Sequence, residues 1–392
     1  MLVETRHENT PQWVHEAAPE GATVVLSQVT LCRNLADFPF TQRCTEDEKQ
    51  AIETRILNAL DSLNLLASGR YYNMRELDSR AARLLAERRL ISQDMLGVRG
   101  PRGVYVADDQ SLSISINGAE HLAVRGIAAG QQLQELWNRL NLIDDTLNGA
   151  LDFAFDERLG YLTSTLGLVG TGLKVGLLLH LPTLVYTNRI TEQLSGTEQQ
   201  RLLLQGVRAG CDVRLPRTRP DGEPEQAVLS EALFTDMNGA LPAALNETVG
   251  DLFLLVNQST LGHSEEEIVF QIRHRASEIL AGEGAAREGL LAENLGTLED
   301  RVGRAQGVAS GARLLGFPEG LDLLSSLRLG VAAGLAQGVD LPQINELLLA
   351  SQSAHLEASC GHECDALQLS AERAGLFRNR LVPATRKLSP SS

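Results

Sequence analysis

Gly160-Tyr161-Leu162-Thr163-Ser164-Thr165-Leu166-Gly167-Leu168-Val169-Gly170-Thr171-Gly172-Leu173-Lys174, followed by His180-Leu181-Pro182, is the stretch whose reading decides what this chain is. It is a glycine-rich loop running into the longest apolar run of the sequence, Val175 to Tyr186. That run is interrupted by His180 and Pro182 and falls well short of the roughly 20 residues that span a bilayer. Taken alone, Gly170-Thr171-Gly172 is a weak phosphate-loop signal, so its meaning depends on what surrounds it.

The surroundings describe an acidic globular protein. With 392 residues, 43% of them apolar, the chain is long enough for one large domain and a smaller one. A formal charge of −15 does not supply the clustered cations that phosphate backbones demand, so nucleic acid is not an expected partner. Five cysteines, at 32, 44, 211, 360 and 364, are too scattered for a disulfide framework and fit a reducing compartment. Cys360-Gly361-His362-Glu363-Cys364 lacks the second ligand pair of a tetrahedral metal site, so no metal is expected. The polar opening residues carry no signal-type apolar segment, which makes a cytoplasmic location without membrane association the expectation.

Periodicity divides the chain. Residues 1–22 read as a polar tail that packs only loosely. Helical spacing runs through Ile52, Ile56, Leu60 and Leu63, and again through Leu77, Ala81, Leu84 and Leu85. After the turn at Pro101-Arg102-Gly103, Val104-Val106 and the alternating Ser111–Ile116 predict a hairpin with one buried face. A core-packing helix is expected from Gln131 to about Asn148, with Asp144-Asp145 as a solvated or capping pair. His180, among leucines, reads as a core histidine. From Glu265 on the patterns are all helical, and Asp212 to about Asn246, with Pro216-Arg217-Thr218-Arg219-Pro220-Asp221-Gly222 at its start, reads as an inserted loop. Early strand pairs with long helices between them point to an α+β fold.

Several ordered blocks resemble the ATP:guanido phosphotransferases (phosphagen kinases), and most of all their bacterial protein-arginine kinases. They are Arg33-Asn34-Leu35-Ala36-Asp37-Phe38-Pro39-Phe40, Ala154-Phe155-Asp156-Glu157, Gly160 to His180, Asn257-Gln258-Ser259-Thr260-Leu261-Gly262, Leu298-Glu299-Asp300-Arg301-Val302 and Arg373-Ala374-Gly375-Leu376-Phe377-Arg378. The resemblance implies a guanidino-kinase (glutamine-synthetase-like) catalytic domain over residues 23–264, an antiparallel sheet flanked by helices. A helical dimerisation domain over 265–385 follows. It also implies ATP with Mg as cofactor, arginines that hold the triphosphate, and carboxylates that align the guanidinium and take its proton.

Position by position, those reactive groups have changed. Where the resemblance implies Ser-x-Arg phosphate grips, this chain has Ser27-Gln28-Val29-Thr30. Ala119 stands at the implied base, in Asn117-Gly118-Ala119-Glu120-His121-Leu122, and Ala123 stands for an arginine, with Arg125 two residues on along the same strand face. Arg89 replaces a histidine on the adenosine side. Thr165 replaces the loop cysteine and Lys174 an arginine, while Gln205 and Gly210 replace an arginine and the second carboxylate. What is left of a nucleotide site by this resemblance is Ser27, Arg89, Arg125, Lys174, Val175, Gly176, Gln205 and Arg208.

Single losses of this kind typically cost about 10²–10³ in rate, so the resemblance with these replacements implies a pseudokinase with a regulatory or scaffolding role. A divergent active enzyme stays open as the alternative, with Arg89, Arg125, Lys174, Arg208 and arginines 214, 217 and 219 as a rebuilt phosphate cradle and Glu120 or Asp212 as base. The implied partners are a second copy or an active relative in a mixed dimer, and a protein of a Clp-type proteolysis system. Of the stretch that reads phosphoarginine in the family, here Leu369-Ser370-Ala371-Glu372-Arg373-Ala374, only the end survives.

Overall fold

Strand β1 (Val24–Arg33) runs through the middle of the molecule, and every one of its residues is buried. The structure, a computed structural model, describes residues 10–97, 99–210, 232–234 and 248–381. After β1 come α1 (Glu46–Ser62), β2 (Gly69–Asn73), α2 (Ser79–Glu87), α3 (Asp94–Gly97), β3 (Gly103–Ala107), β4 (Leu112–Ile116), β5 (Leu122–Ala129) and α4 (Leu133–Asn148). The short β6 (Phe155–Asp156) and β7 (Gly160–Tyr161) lead to β8 (Leu173–His180), α5 (Pro182–Tyr186), α6 (Ile190–Gln199), β9 (Leu202–Gly206), β10 (Arg208–Gly210), β11 (Ala232–Phe234) and β12 (Leu252–Asn257). From there to residue 381 the elements are helices: α7 (Glu265–Glu293), α8 (Leu295–Gly311), α9 (Phe317–Ala332), α10 (Leu341–Ala350), α11 (Ser353–Cys360) and α12 (Ala366–Leu381).

Eight strands form one sheet in the order β2-β3-β4-β5-β1-β8-β12-β9, and every neighbouring pair is antiparallel. Alternation along each strand gives the sheet two different faces. On one face Val29, Leu31, Val124, Val175 and Leu177 pack against Ile52 and Ile56 of α1, Leu136 and Leu140 of α4, and Ile268 and Ile272 of α7. Each such fully buried side chain contributes roughly 1.5–3 kcal/mol. On the opposite face Leu26, Ile127, Leu178, Leu254 and Val256 seat Leu321, Leu324, Ile344 and Leu347 of the helical region. The buried side of α7, from Ile268 to Ala286, thus shares the sheet's own core.

Helix starts follow local chemistry. Thr45 with Glu48, Ser264 with Glu267 and Asp340 with Gln343 form reciprocal capping boxes at α1, α7 and α10.

Three expectations need correction. The β3–β4 hairpin is buried on both faces, because Val104 and Val106 pack against Ala82, Leu85 and Met95 while Tyr105 and Ile114 join the main core. Its polar alternation survives burial because Ser113 donates to the Leu90 carbonyl at 2.6 Å. The segment before β1 is not loose from residue 12 onward: Gln12–Val14 form a 3-10 turn that buries Trp13 and Val14. Asp144 is neither solvated nor a cap. It is buried against Arg33, with Nη2 to Oδ2 at 2.6 Å, and that guanidinium also lies 3.7 Å from the centre of the Tyr161 ring. His180 is a core histidine as expected, bonded through Nε2 to Ser325 Oγ at 2.9 Å.

The helical region is tied to the sheet region by buried charge. Arg83 of α2 pairs with Glu357 of α11 at 2.6 Å, both almost fully buried. One turn on, the Glu87 carboxylate accepts from Ala354 N, His355 N and His355 Nδ1, capping α11 from outside. Arg328 of α9 holds the carbonyls of Gly21 and Ala22, just ahead of β1.

Candidate functional site

Pairing register brings the changed positions together. Thr30 lies opposite Arg125 on one side and Lys174 on the other, and Arg125 lies opposite Ser113, so Ser113, Arg125, Thr30 and Lys174 form one row across four strands. The neighbouring row is Ser115, Ala123 and Cys32. All of these except Ser113 floor a cleft of about 830 Å³, open mouth included, which Gln28, Arg89, Asp94, Ala119, Glu120, Thr165 and Leu168 also line.

The loop of Gly160 to Lys174 forms one wall, and its folding explains its glycines. Tyr161 and Gly170 exchange backbone hydrogen bonds. A Cβ on Gly160, which has φ of 79°, would stand 2.4 Å from the Gly170 carbonyl oxygen, and one on Gly172 would stand 2.4 Å from that of Cys32. Only glycine fits these two places. Arg33 holds the loop's far end by donating to the Thr171 carbonyl at 2.8 Å.

Glu120 holds the near end. Its Oε2 accepts from Asn34 Nδ2 at 2.6 Å and Ser164 N at 2.9 Å, and its Oε1 from Ser164 Oγ at 2.8 Å and Thr165 N at 3.0 Å. Both oxygens are committed, so this carboxylate clamps a loop and is not poised as a base. That corrects the alternative in which Glu120 takes a proton. Asn34 completes the clamp by accepting from His121 N at 2.9 Å. His121 in turn accepts from Leu35 N at Nδ1 and meets the Pro39 carbonyl at Nε2, which fixes the proton on Nε2.

The cationic side of the cleft is built from α2 and β5. Arg89 follows the end of α2 in a left-handed backbone conformation, φ 62°. Its carbonyl accepts from Arg125 Nη1 at 3.1 Å. Burial, and then the neighbouring Arg125 charge, pull the Arg89 guanidinium down to about 9. Its side chain forms no hydrogen bond or ion pair with the other described residues. Two cations in a half-closed pocket attract an anion.

One carboxylate had no sequence signal. Asp94, at the head of α3, accepts from Ala119 N at 2.8 Å through Oδ2, while its buried Oδ1 has no partner among the described residues. It stands beside the position where the resemblance implies the base. The run Arg88 to Ser92 directed attention to cations, and nothing in it marked the acid two residues beyond. The loop cysteine has no such stand-in: Cys32 lines the cleft, but burial and the Glu120 charge push its thiol up to about 12. It remains protonated.

The other residues of the expected nucleotide set lie elsewhere. Ser27 faces the opposite side of β1, donating to the Gly130 carbonyl at 2.6 Å and accepting from Gln132 N. Val175 is in the main core, and Gly176 pairs with Gln28 without lining the cleft. Gln205 sits on the edge strand β9 with a buried Oε1 that has no partner among the described residues, and Arg208 and Gly210 lie in β10, paired with β11. Asp212 and arginines 214, 217 and 219 fall outside the described residues, as does most of the inserted loop.

Known proteins share this frame. Residues 51–213 match the family described as ATP:guanido phosphotransferase, C-terminal catalytic domain, and residues 296–391 match the Protein-arginine kinase McsB C-terminal domain. The protein-arginine kinase of Symbiobacterium thermophilum is 32% identical over 373 residues, which cover 94% of this chain and 96% of that protein. The chain belongs to the protein-arginine kinase family. The relative from Desulforamulus reducens is 33% identical over 383 residues, covering 97% of this chain and 98% of that one.

Among solved structures, the duplicated taurocyamine kinase from Schistosoma mansoni superposes with a TM-score of 0.54 at 19% identity, over 75% of this chain and 38% of that one. Lombricine kinase gives 0.53 at 17% identity, over 74% and 72%. These two share the fold: an α+β guanidino-kinase domain with an antiparallel sheet, followed in this family by a helical C-terminal region. Among the described residues no helix is long and apolar enough to cross a membrane.

Proposed function

We propose that this member of the protein-arginine kinase family is a pseudokinase, keeping an anion-attracting cleft while transferring phosphate to a guanidino nitrogen at a severely reduced rate. The observation that carries this reading is the state of Glu120. The acid next in sequence to the implied base position spends both oxygens on the loop and Asn34, while Ala119 and Thr165 offer the cleft neither a carboxylate nor a thiol. Aligning a guanidinium and accepting its proton requires acceptors that are not already committed.

The cationic groups suit a nucleotide polyphosphate, since Arg89 and Arg125 lie side by side at the cleft floor with Lys174 across from them. When bound, ATP with Mg²⁺ would supply the phosphoryl group and offset part of its charge. Arg89, Arg125 and Lys174 would hold its phosphates, although Lys174 cannot grip them bidentately as an arginine does. On this reading the role is regulatory or scaffolding. The protein would act as a homodimer or as a mixed dimer with an active relative, docking a protein partner of a Clp-type proteolysis system.

Asp94 favours a second reading, a divergent active kinase, because its bare Oδ1 is the one uncommitted carboxylate oxygen beside Ala119 among the described residues. A single-turnover assay with ATP, Mg²⁺ and an arginine-rich protein separates the two. The pseudokinase forms no phosphoarginine above the uncatalysed background, yet still gains thermal stability from ATP, by about 2.7 kcal/mol at 100 times the dissociation constant. Phosphoarginine formation that disappears in Asp94→Asn establishes the second reading instead.

A further inference from the structure

Three consecutive residues close α2, and each faces a different part of the molecule. Glu87 takes the start of α11: its Oε1 accepts from Ala354 N at 2.8 Å and Ser353 Oγ at 3.3 Å, and its Oε2 from His355 N at 3.1 Å and His355 Nδ1 at 2.7 Å. Gln352, at the N-cap of α11, makes no side-chain cap hydrogen bond, so those amides depend on a carboxylate from another helix. Arg88 adds a second tie, donating from Nε to His355 Nε2 at 3.3 Å and from Nη1 to Gln110 Oε1 at 3.1 Å. His355 is thereby fixed with its proton on Nδ1, a spacer held at both nitrogens. Arg89 points the other way and lines the cleft.

The turn that carries them is a Schellman motif: Leu90 N donates to the Leu85 carbonyl at 3.0 Å and Arg89 N to that of Ala86 at 2.9 Å. Glycine is the usual residue at the left-handed position of this motif, yet here it is Arg89, with φ of 62°. That conformation costs a residue with a side chain energy, and it delivers the guanidinium into the cleft while Arg88 stays on α11. Arg125 Nη1 holds the Arg89 carbonyl at 3.1 Å, and the buried Arg89 side chain has no hydrogen bond or ion pair with the other described residues.

We propose that an anion bound between Arg89 and Arg125 tightens the cap that Glu87 places on α11, so that the helical region registers whether the cleft is filled, a coupling that rests on the cleft being a polyphosphate site. Two neighbouring guanidinium groups repel, and burial weakens the screening between them. A phosphate oxygen on each replaces that repulsion with charge-assisted hydrogen bonds and draws Arg89 toward Arg125. The main chain of Arg89 is already pinned by its amide and its carbonyl, and Glu87 stands two residues away in the same hydrogen-bonded turn. Fixing the Arg89 side chain as well stiffens the whole turn, and Glu87 releases the Ala354 and His355 amides less often.

The experiment follows amide exchange of the full chain with and without saturating ADP and Mg²⁺, a polyphosphate with no γ-phosphoryl to transfer, and measures ADP affinity by calorimetry. Exchange at Ala354 and His355 is expected to slow by about fivefold with ADP, the lower end of ordinary coupling between sites. In Glu87→Gln, altered outside the cleft, that slowing is lost and ADP binds about fivefold more weakly, because coupling is reciprocal. In Arg83→Met, which weakens the same helix contact without touching the turn, the slowing at the two amides remains.

Native protein that binds ADP with no change at the two amides overturns the proposal, as does Glu87→Gln with undiminished affinity. Loss of the slowing in Arg83→Met as well would assign the effect to the helix contact at large and overturn the role of the turn. ADP that fails to bind the native protein removes the polyphosphate site itself, and this coupling with it. None of these readouts depends on whether phosphate is transferred.

Discussion

Glu120 shows how an acid beside a cleft can be wholly taken up by structure. It serves as a four-point clamp that ties Asn34 to the loop holding Thr165. Replacing it with alanine leaves the Ser164 and Thr165 amides without their acceptor. A loss of about 1–3 kcal/mol in urea unfolding is expected, with faster amide exchange confined to residues 163–166. His180 allows a second test at this scale. Burial, helped by Arg328, Arg301 and Arg287, holds its pKa well below the ordinary value. The unfolded chain takes up this proton near 6.5 and the folded chain does not, so its share of stability is complete above about 6.5 and is lost as pH falls toward the lowered folded value. Buried carboxylates with raised values, Glu283 and Asp144 among them, work in the opposite sense. Comparison with His180→Gln isolates the histidine: the variant's unfolding midpoint should depend less steeply on pH below 6.5 than the native protein's. A parallel pair of profiles would refute the assignment. Much of the residue-level picture was legible, since the replacements at 119, 123, 165 and 174 converge on one cleft as the ordered blocks imply. Asp94 and Asp144 were not, because a carboxylate's neighbours are fixed by elements far away in sequence, here Ala119 and Arg33.

Among the elements, the contact between α2 and α11 buries two charged pairs, Arg83 with Glu357 and Glu87 with His355. Arg83 is bound to Glu357 but leaves Nε and Nη1 buried without described partners, so the pair is incompletely compensated. Removing only the cation, in Arg83→Met, strands a buried carboxylate and should cost roughly 3–5 kcal/mol. The double variant Arg83→Met with Glu357→Leu should recover most of that loss, measured by denaturant unfolding; an additive loss would mean the two groups do not act as a pair. The helices themselves were easy to read, since apolar spacing and Thr45, Ser264 and Asp340 at their starts agree. The hairpin was harder. Serines at 113 and 115 look like a solvent face in sequence, whereas the segment from Arg88 to Met95 covers them and supplies Ser113 with an acceptor.

For the molecule as a whole, the sheet is the common wall of two regions. Its strands pass without a break from a polar stretch, floored by Thr30, Arg125 and Lys174, to an apolar stretch of the same face on which α9 and α10 rest. That continuity was invisible before the register was known, because strand alternation tells which residues share a side and says nothing of where along it the covering helices stop. One consequence concerns inheritance. A substitution inherited at the floor of this hollow also acts on the helical storey, since the strands that floor it are the beams on which that storey stands. The packing that holds the apolar stretch in place holds the polar stretch open with it, whatever chemistry the latter performs.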